Sequence, residues 1–133
     1  MEKHWEERLK FSRRTEDQLK RWAARYGYKE HPMQILDHAK SGYNGGRYSS
    51  INLQNEHTIE FRIFRGTLKY NTLIATLQLV NRVCDVAISL SDTTLKALSW
   101  TSFVAAIQEP ELIQYLKERR LYINEPVKME EEI

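Results

Sequence analysis

Cysteine is nearly missing from this chain: Cys84 is alone among 133 residues. No intrachain disulfide can staple the fold, and a reducing, cytoplasmic setting is expected. Cys84 lies in Leu79-Val-Asn-Arg-Val-Cys-Asp-Val-Ala87, where it reads as a small buried hydrophobe rather than a nucleophile. Long apolar runs are missing too. None approaches the roughly 18 residues that span a bilayer, so no membrane partner is expected. The N-terminal Met1-Glu-Lys-His-Trp-Glu-Glu-Arg8 has no apolar core of a secretion signal. No Ser-centred nucleophile elbow occurs. His4, His31, His38 and His57 are scattered, and Pro32 interrupts any helix that could align His31 with His38, so zinc-ligand spacing is not found. Ser41-Gly-Tyr-Asn-Gly-Gly46 is flexible enough to approach a phosphate. It lacks the Lys-Ser/Thr ending and the following helix of a phosphate-binding loop.

What is present fits one α+β domain over residues 1–123, with a helical N-terminal part over 1–40 and a loose acidic tail over 124–133. The net charge of +2 is unevenly spread. Residues 1–69 hold 14 Lys/Arg against 9 Asp/Glu, and residues 70–133 hold 6 against 9. The basic half suits an anionic partner. Arg13, Arg14, Lys20, Arg21 and Arg25, interleaved with Trp22 and Tyr26, are candidate contacts to a protein or protein–nucleic-acid complex.

Periodicity predicts a short helix over 2–12, with Trp5 and Leu9 inward. Thr15-Glu-Asp-Gln18 is a capping-box pattern that opens a second helix. Leu19, Trp22, Ala23 and Tyr26 would form its apolar stripe, and Gly27 its stop. Another helix is expected from Pro32, with Ile35, Leu36 and Ala39 inward. A long helix over about 70–90 carries Leu73, Leu77, Val80, Cys84, Ala87 and Ile88 as its expected core stripe. Ser91-Asp92 should cap a helix over 93–98, Thr101/Ser102 another over 103–107, and Pro110 should start the last.

Two stretches alternate as strands do, Arg47–Leu53 and Thr58–Phe64, with turn-like Gln54-Asn-Glu-His57 between them. They predict an antiparallel hairpin, packed by the helices, over about 47–53 and 58–64. Ile51, Leu53, Ile59, Phe61 and Ile63 would share the oily face. Tyr48, Ser50, Asn52, Thr58, Glu60, Arg62 and Phe64 would share the other. A lone two-stranded hairpin is marginal. A third strand is therefore expected from elsewhere, whether from a second copy in a homodimer or from a missing N-terminal half.

Glu60 and Arg62 are two apart on one strand and so project from the same face. A carboxylate there can bind Mg²⁺, and the adjacent guanidinium can grip a phosphate or carboxylate. A cross-strand ion pair on a solvated face has the same spacing.

Arg47-Tyr48, Ile51-Asn-Leu53 and Thr58-Ile-Glu-Phe-Arg-Ile-Phe-Arg-Gly-Thr-Leu68 resemble the amidoligase family, whose members join a carboxylate to an amine using ATP and which is distantly related to glutamine synthetases and glutamate–cysteine ligases. Leu98-Ser-Trp-Thr-Ser-Phe103 and Tyr115-Leu-Lys-Glu-Arg119 resemble its C-terminal helices. The resemblance covers roughly residues 40–120, the C-terminal half of such a domain, and is weaker before residue 40. It implies Glu60 as metal ligand, with Arg62 and Arg47 as phosphate or substrate contacts. It also implies Asn52 as an orienting group and Arg65 as a cofactor contact beyond the strand, with Mg and ATP as cofactors. Thr67 is expected to cap the long helix rather than react.

Complete members are about twice as long and begin with acidic metal-binding strands, and no Glu-x-Glu strand precedes residue 40 here. Two functional classes follow. The first is a truncated, catalytically incomplete amidoligase-like binding protein of phage or mobile-element type, such as an inhibitor of a host defence nuclease. The second is an ATP-dependent carboxylate–amine ligase, or one half of a split ligase, working through an acyl phosphate.

Overall fold

The computed structural model describes residues 4–23, 40 and 50–123. The chain separates into two compact units, Met1–Arg65 and Gly66–Ile133. Among the described residues the architecture is α+β, a two-stranded antiparallel sheet with helices.

In the first unit, α1 (Trp5–Ser12) ends at Arg13, whose φ of 60° puts its backbone in the left-handed region. That conformation costs a non-glycine residue about 1–2 kcal/mol. A 2.7 Å hydrogen bond from the Arg13 guanidinium to the Arg65 carbonyl holds the corner in place. α2 (Glu16–Trp22) opens with the expected capping box. The Thr15 hydroxyl accepts from Gln18 N at 3.2 Å, and the Gln18 side chain accepts from Thr15 N at 3.1 Å. These two bonds satisfy amide groups that the first helical turn leaves without partners. The expected continuation through Arg25, Tyr26 and Gly27, the helix from Pro32 and the loop at 41–46 lie outside the described residues, as does the tail at 124–133.

β1 (Ile51–Asn52) pairs with β2 (Glu60–Phe61), with Ile51 opposite Phe61 and Asn52 opposite Glu60. A 2.9 Å bond from Arg62 N to Ser50 O extends the ladder by one step. Regular pairing is shorter than the alternation predicts, and Arg47–Ser49 lie outside the described residues. The cause on one side is local: Asn52 Oδ1 accepts from Gln54 N at 2.9 Å. An Asx turn of this kind draws the chain away from the ladder. Ile59, expected on the oily face, thus falls in the connection and is 58% exposed.

The register puts Asn52 and Glu60 on one face, as expected. That face is not simply solvated, because Ser50 and Asn52 are buried. Arg8 of α1, also buried, donates to the Ser50 hydroxyl at 3.4 Å and lies 4.1 Å from the centre of the Trp5 ring. Trp5, Leu19, Ala23 and Ile63 form the apolar core, with Leu9 and Phe64 packed against it. Phe11 meets Phe64 edge to face at 5.8 Å. Both helices therefore grip the chain just past β2.

The second unit begins with α3 (Tyr70–Ser89), followed by α4 (Asp92–Ala97), α5 (Trp100–Ala105) and α6 (Pro110–Glu118). Ser91 caps α4 as expected. α5 starts earlier than predicted, because Ser99 rather than Thr101 or Ser102 is the cap, its hydroxyl accepting from Ser102 N at 3.0 Å. Thr67 accepts from Lys69 N at 3.1 Å, at the entry to α3. α3 packs along α6. Phe103, Val104, Ile107, Leu112, Tyr115, Leu116 and Leu121 are buried, and Trp100 Nε1 donates to Leu121 O at 2.8 Å.

The face of α3 that is buried corrects the expected one. Thr72, Ala75 and Leu79 are the buried residues. Leu73, Leu77 and Ile88 of the predicted core stripe are 46%, 58% and 83% exposed, and Ala87 is exposed as well. Hydrogen bonding favours the observed face. Gln78 Oε1 accepts from Leu112 N at 3.0 Å, and Gln78 Nε2 donates to the Glu111 carboxylate at 3.0 Å. Glu109 at the N-cap of α6 makes no side-chain cap bond. Gln78 therefore supplies from α3 an acceptor that this helix start needs. By length and composition α3 could also cross a bilayer. It nevertheless carries Arg82 and Asp85, and its Gln78 face is bound to another helix.

The Gln78 bond holds the Glu111 carboxyl below the ordinary glutamate range. A lowered carboxyl pKa contributes stability above its unfolded value and loses it as pH falls through the folded one. Gln78→Ala should therefore destabilise the chain at neutral pH, by about 1 kcal/mol for the lost helix cap, and the difference from the wild type should shrink in acid. Urea unfolding at the two pH values checks this. A difference that did not narrow in acid would contradict a role for ionised Glu111.

Candidate functional site

The site grows from the two-residue period of β2. Glu60 and Arg62 emerge on the same side, and Arg62 donates to Glu60 Oε1 at 2.7 Å. The pair is partly sheltered, with 26% of the Arg62 side chain and 41% of the Glu60 side chain exposed. Opposite Glu60 across the ladder, Asn52 is 6% exposed and its carbonyl oxygen holds the Asx turn. Its observed work is thus to shape the loop beside the site.

A third residue joins them from the α1–α2 corner. Arg14 donates to the Arg62 carbonyl at 3.3 Å, 48 positions away in sequence. Burial, and then the positive charge of Arg62, lower its guanidinium below the usual arginine range. Among the described residues that line the pocket, Arg14 and Arg62 are cations and Glu60 is a carboxylate. An anion placed there would relieve the repulsion and could accept forked hydrogen bonds from either guanidinium. The open pocket beside them, about 420 Å³, is lined by Arg14, Glu60, Phe61, Arg62 and Phe64. That size accommodates a small ligand, and two of its five lining residues are aromatic.

The other expected site residues divide. Arg65 is exposed. Its backbone ties the corner down, accepting from Arg13 and donating from N to Ser12 O at 3.1 Å, and its side chain does not line the pocket. Arg47 and Arg25 lie outside the described residues. Lys20 and Arg21 are exposed on α2, whereas Arg13 and Arg14 are half-buried and turned to backbone carbonyls. Sequence reasoning placed Arg14 among the partner contacts and missed its place at the pocket. No spacing signal links residues 14 and 62, and only the tertiary fold brings them together. Among the described residues no group of three His, Cys, Asp or Glu side chains could hold a metal ion.

A family profile described as "Putative amidoligase enzyme" matches residues 1–84. The match takes in the first forty residues, where a weaker resemblance was expected. It ends at Cys84 within α3, before Leu98–Phe103 and Tyr115–Arg119. No curated protein and no solved structure matches the chain.

If the cluster is an anion site, Arg14→Gln should weaken inorganic phosphate binding about tenfold, the loss of one charge-assisted hydrogen bond. Chemical-shift titration of wild type and variant measures this. Unchanged affinity, with the shifts still mapping to residues 60–64, would remove Arg14 from the site.

Proposed function

Because the chain belongs to the amidoligase family, we propose that the Arg14–Glu60–Arg62 pocket is the phosphate end of an ATP- and Mg-dependent site that joins a carboxylate to an amine. The observation that carries this reading is that two guanidinium groups from distant segments, Arg14 and Arg62, line one pocket with the Glu60 carboxylate of the Glu-x-Arg strand.

The donor set sets a condition on the metal. Glu60 is a single carboxylate, one of whose oxygens already accepts from Arg62. Magnesium commonly binds through one or two carboxylates together with nucleotide phosphates and water. The pocket thus fits a metal that arrives with the nucleotide, and fits a free ion poorly. When bound, the metal would offset phosphate charge during transfer. Glu60 would hold it from one side, and Arg62 and Arg14 would orient the phosphate oxygens. Phe61 and Phe64 offer apolar walls beside the phosphate position. Arg47, Arg65 and Asn52 are further candidate contacts on the family resemblance. A ligase must also hold the acid and the amine beside the phosphate to gain from proximity. In this proposal the described residues supply part of that site, and the remainder comes from another segment or chain, as in a split ligase.

A second reading rests on the exposed cations of α2. In it the scaffold is catalytically incomplete. It acts as a binding protein of phage or mobile-element type, docking Lys20 and Arg21 on an acidic host complex such as a defence nuclease.

Calorimetry with Mg-ATP separates the two. The ligase reading expects binding that needs magnesium and nucleotide together and falls at least tenfold in Glu60→Gln, with the fold retained. No binding at about millimolar nucleotide, a free-energy gain below roughly 4 kcal/mol, would overturn it. Lys20→Glu/Arg21→Glu should leave nucleotide binding intact.

A further inference from the structure

An apolar stripe on α3, exposed except at half-buried Val80 and Cys84, has a regular spacing. Tyr70, Leu73, Leu77, Val80, Cys84 and Ala87 follow alternating steps of three and four. That 3.5-residue repeat is the seam of a helix paired with another helix. It lies roughly opposite Thr72, Ala75 and Leu79, the face α3 buries against its own unit. Tyr70, Leu73, Leu77 and Ile88 are 75%, 46%, 58% and 83% exposed. From these fractions the stripe and its flank present roughly 600 Å² of apolar surface, at the top of the range for the largest patch on a monomer. That is most of the ~800 Å² that each partner gives a standard interface.

We infer that this seam is a homodimer interface, in which α3 of one copy packs against α3 of a second. Charge supports a second copy as the occupant. The positions flanking the seam are Lys69, Ile74, Thr76, Asn81, Val83 and Ile88, so only Lys69 is charged. Two identical helices can meet without like-charge repulsion, and no row of charges is present to select a different helix. Arg82, half-buried on the side of Ala75 and Leu79, and exposed Asp85 both lie away from the seam, so a helix pair leaves them where they are. In a bilayer both would be costly to bury. A two-fold axis through the seam would make the contact self-complementary and closed.

Sedimentation of the full chain from roughly 1 to 200 µM tests this. The mass should rise towards twice 15.8 kDa. Leu73→Glu/Leu77→Glu should return it to 15.8 kDa with its helical circular dichroism retained, since both side chains already face water. Should that variant lose its helices, the wild type decides: its melting temperature should climb with concentration across the same range, and a flat melting temperature overturns the inference. So would a 15.8 kDa species at every concentration, a dimer indifferent to the double substitution, or flotation of the wild type with phosphatidylcholine vesicles.

Discussion

The candidate site depends on one corner of the chain, Ser12-Arg13-Arg14, and its grip on residues 62–65. Ser12 O receives Arg65 N, Arg13 donates to Arg65 O, and Arg14 donates to Arg62 O. Ser12 is itself fixed, its buried hydroxyl donating to Leu9 O at 2.7 Å and accepting from Arg14 N at 3.1 Å. A two-residue strand pair has little stability of its own. These bonds hold the exit of β2 in place, and Ile63 and Phe64 continue the grip through the apolar core. The left-handed backbone at Arg13 is what turns the chain sharply enough for three successive residues to reach the same neighbour.

That corner also produces the site's electrostatics. Arg14 is drawn beside Arg62 by its hydrogen bond to the Arg62 carbonyl, and Arg62 is paired with Glu60. The latch that stabilises the fold is thus the feature that favours an anion in the pocket.

Much of this is legible in the amino-acid sequence. The Thr15–Gln18 capping box, the Ser91 cap, the Pro110 helix start and the Glu60–Arg62 pairing depend on residues two to four apart, where local geometry leaves few alternatives. The hairpin is legible in its alternation, but its length is not. The Asx turn at Asn52 competes with the ladder, and period alone does not weigh that competition. The start of α5 is misplaced by local pattern because Ser99, Thr101 and Ser102 all have cap chemistry, and it is the Ser99 hydroxyl that accepts from Ser102 N.

The stripe on α3 shows where local pattern stops. Apolar residues at helical spacing say that a face will be covered, not by what. Within its own unit α3 turns the Gln78 face to α6, where Gln78 supplies the acceptor that the helix start lacks. The sequence by itself determined the Thr15 and Ser91 caps, the helix start at Pro110, the Glu60–Arg62 pairing and the family, all of which rest on short-range spacing or on residue identity. Only the tertiary structure decided that Arg14 joins Glu60 and Arg62, and that α3 keeps its most regular apolar face outward. Both outcomes join residues more than thirty positions apart, and such contacts are set by how whole elements satisfy one another's backbone groups.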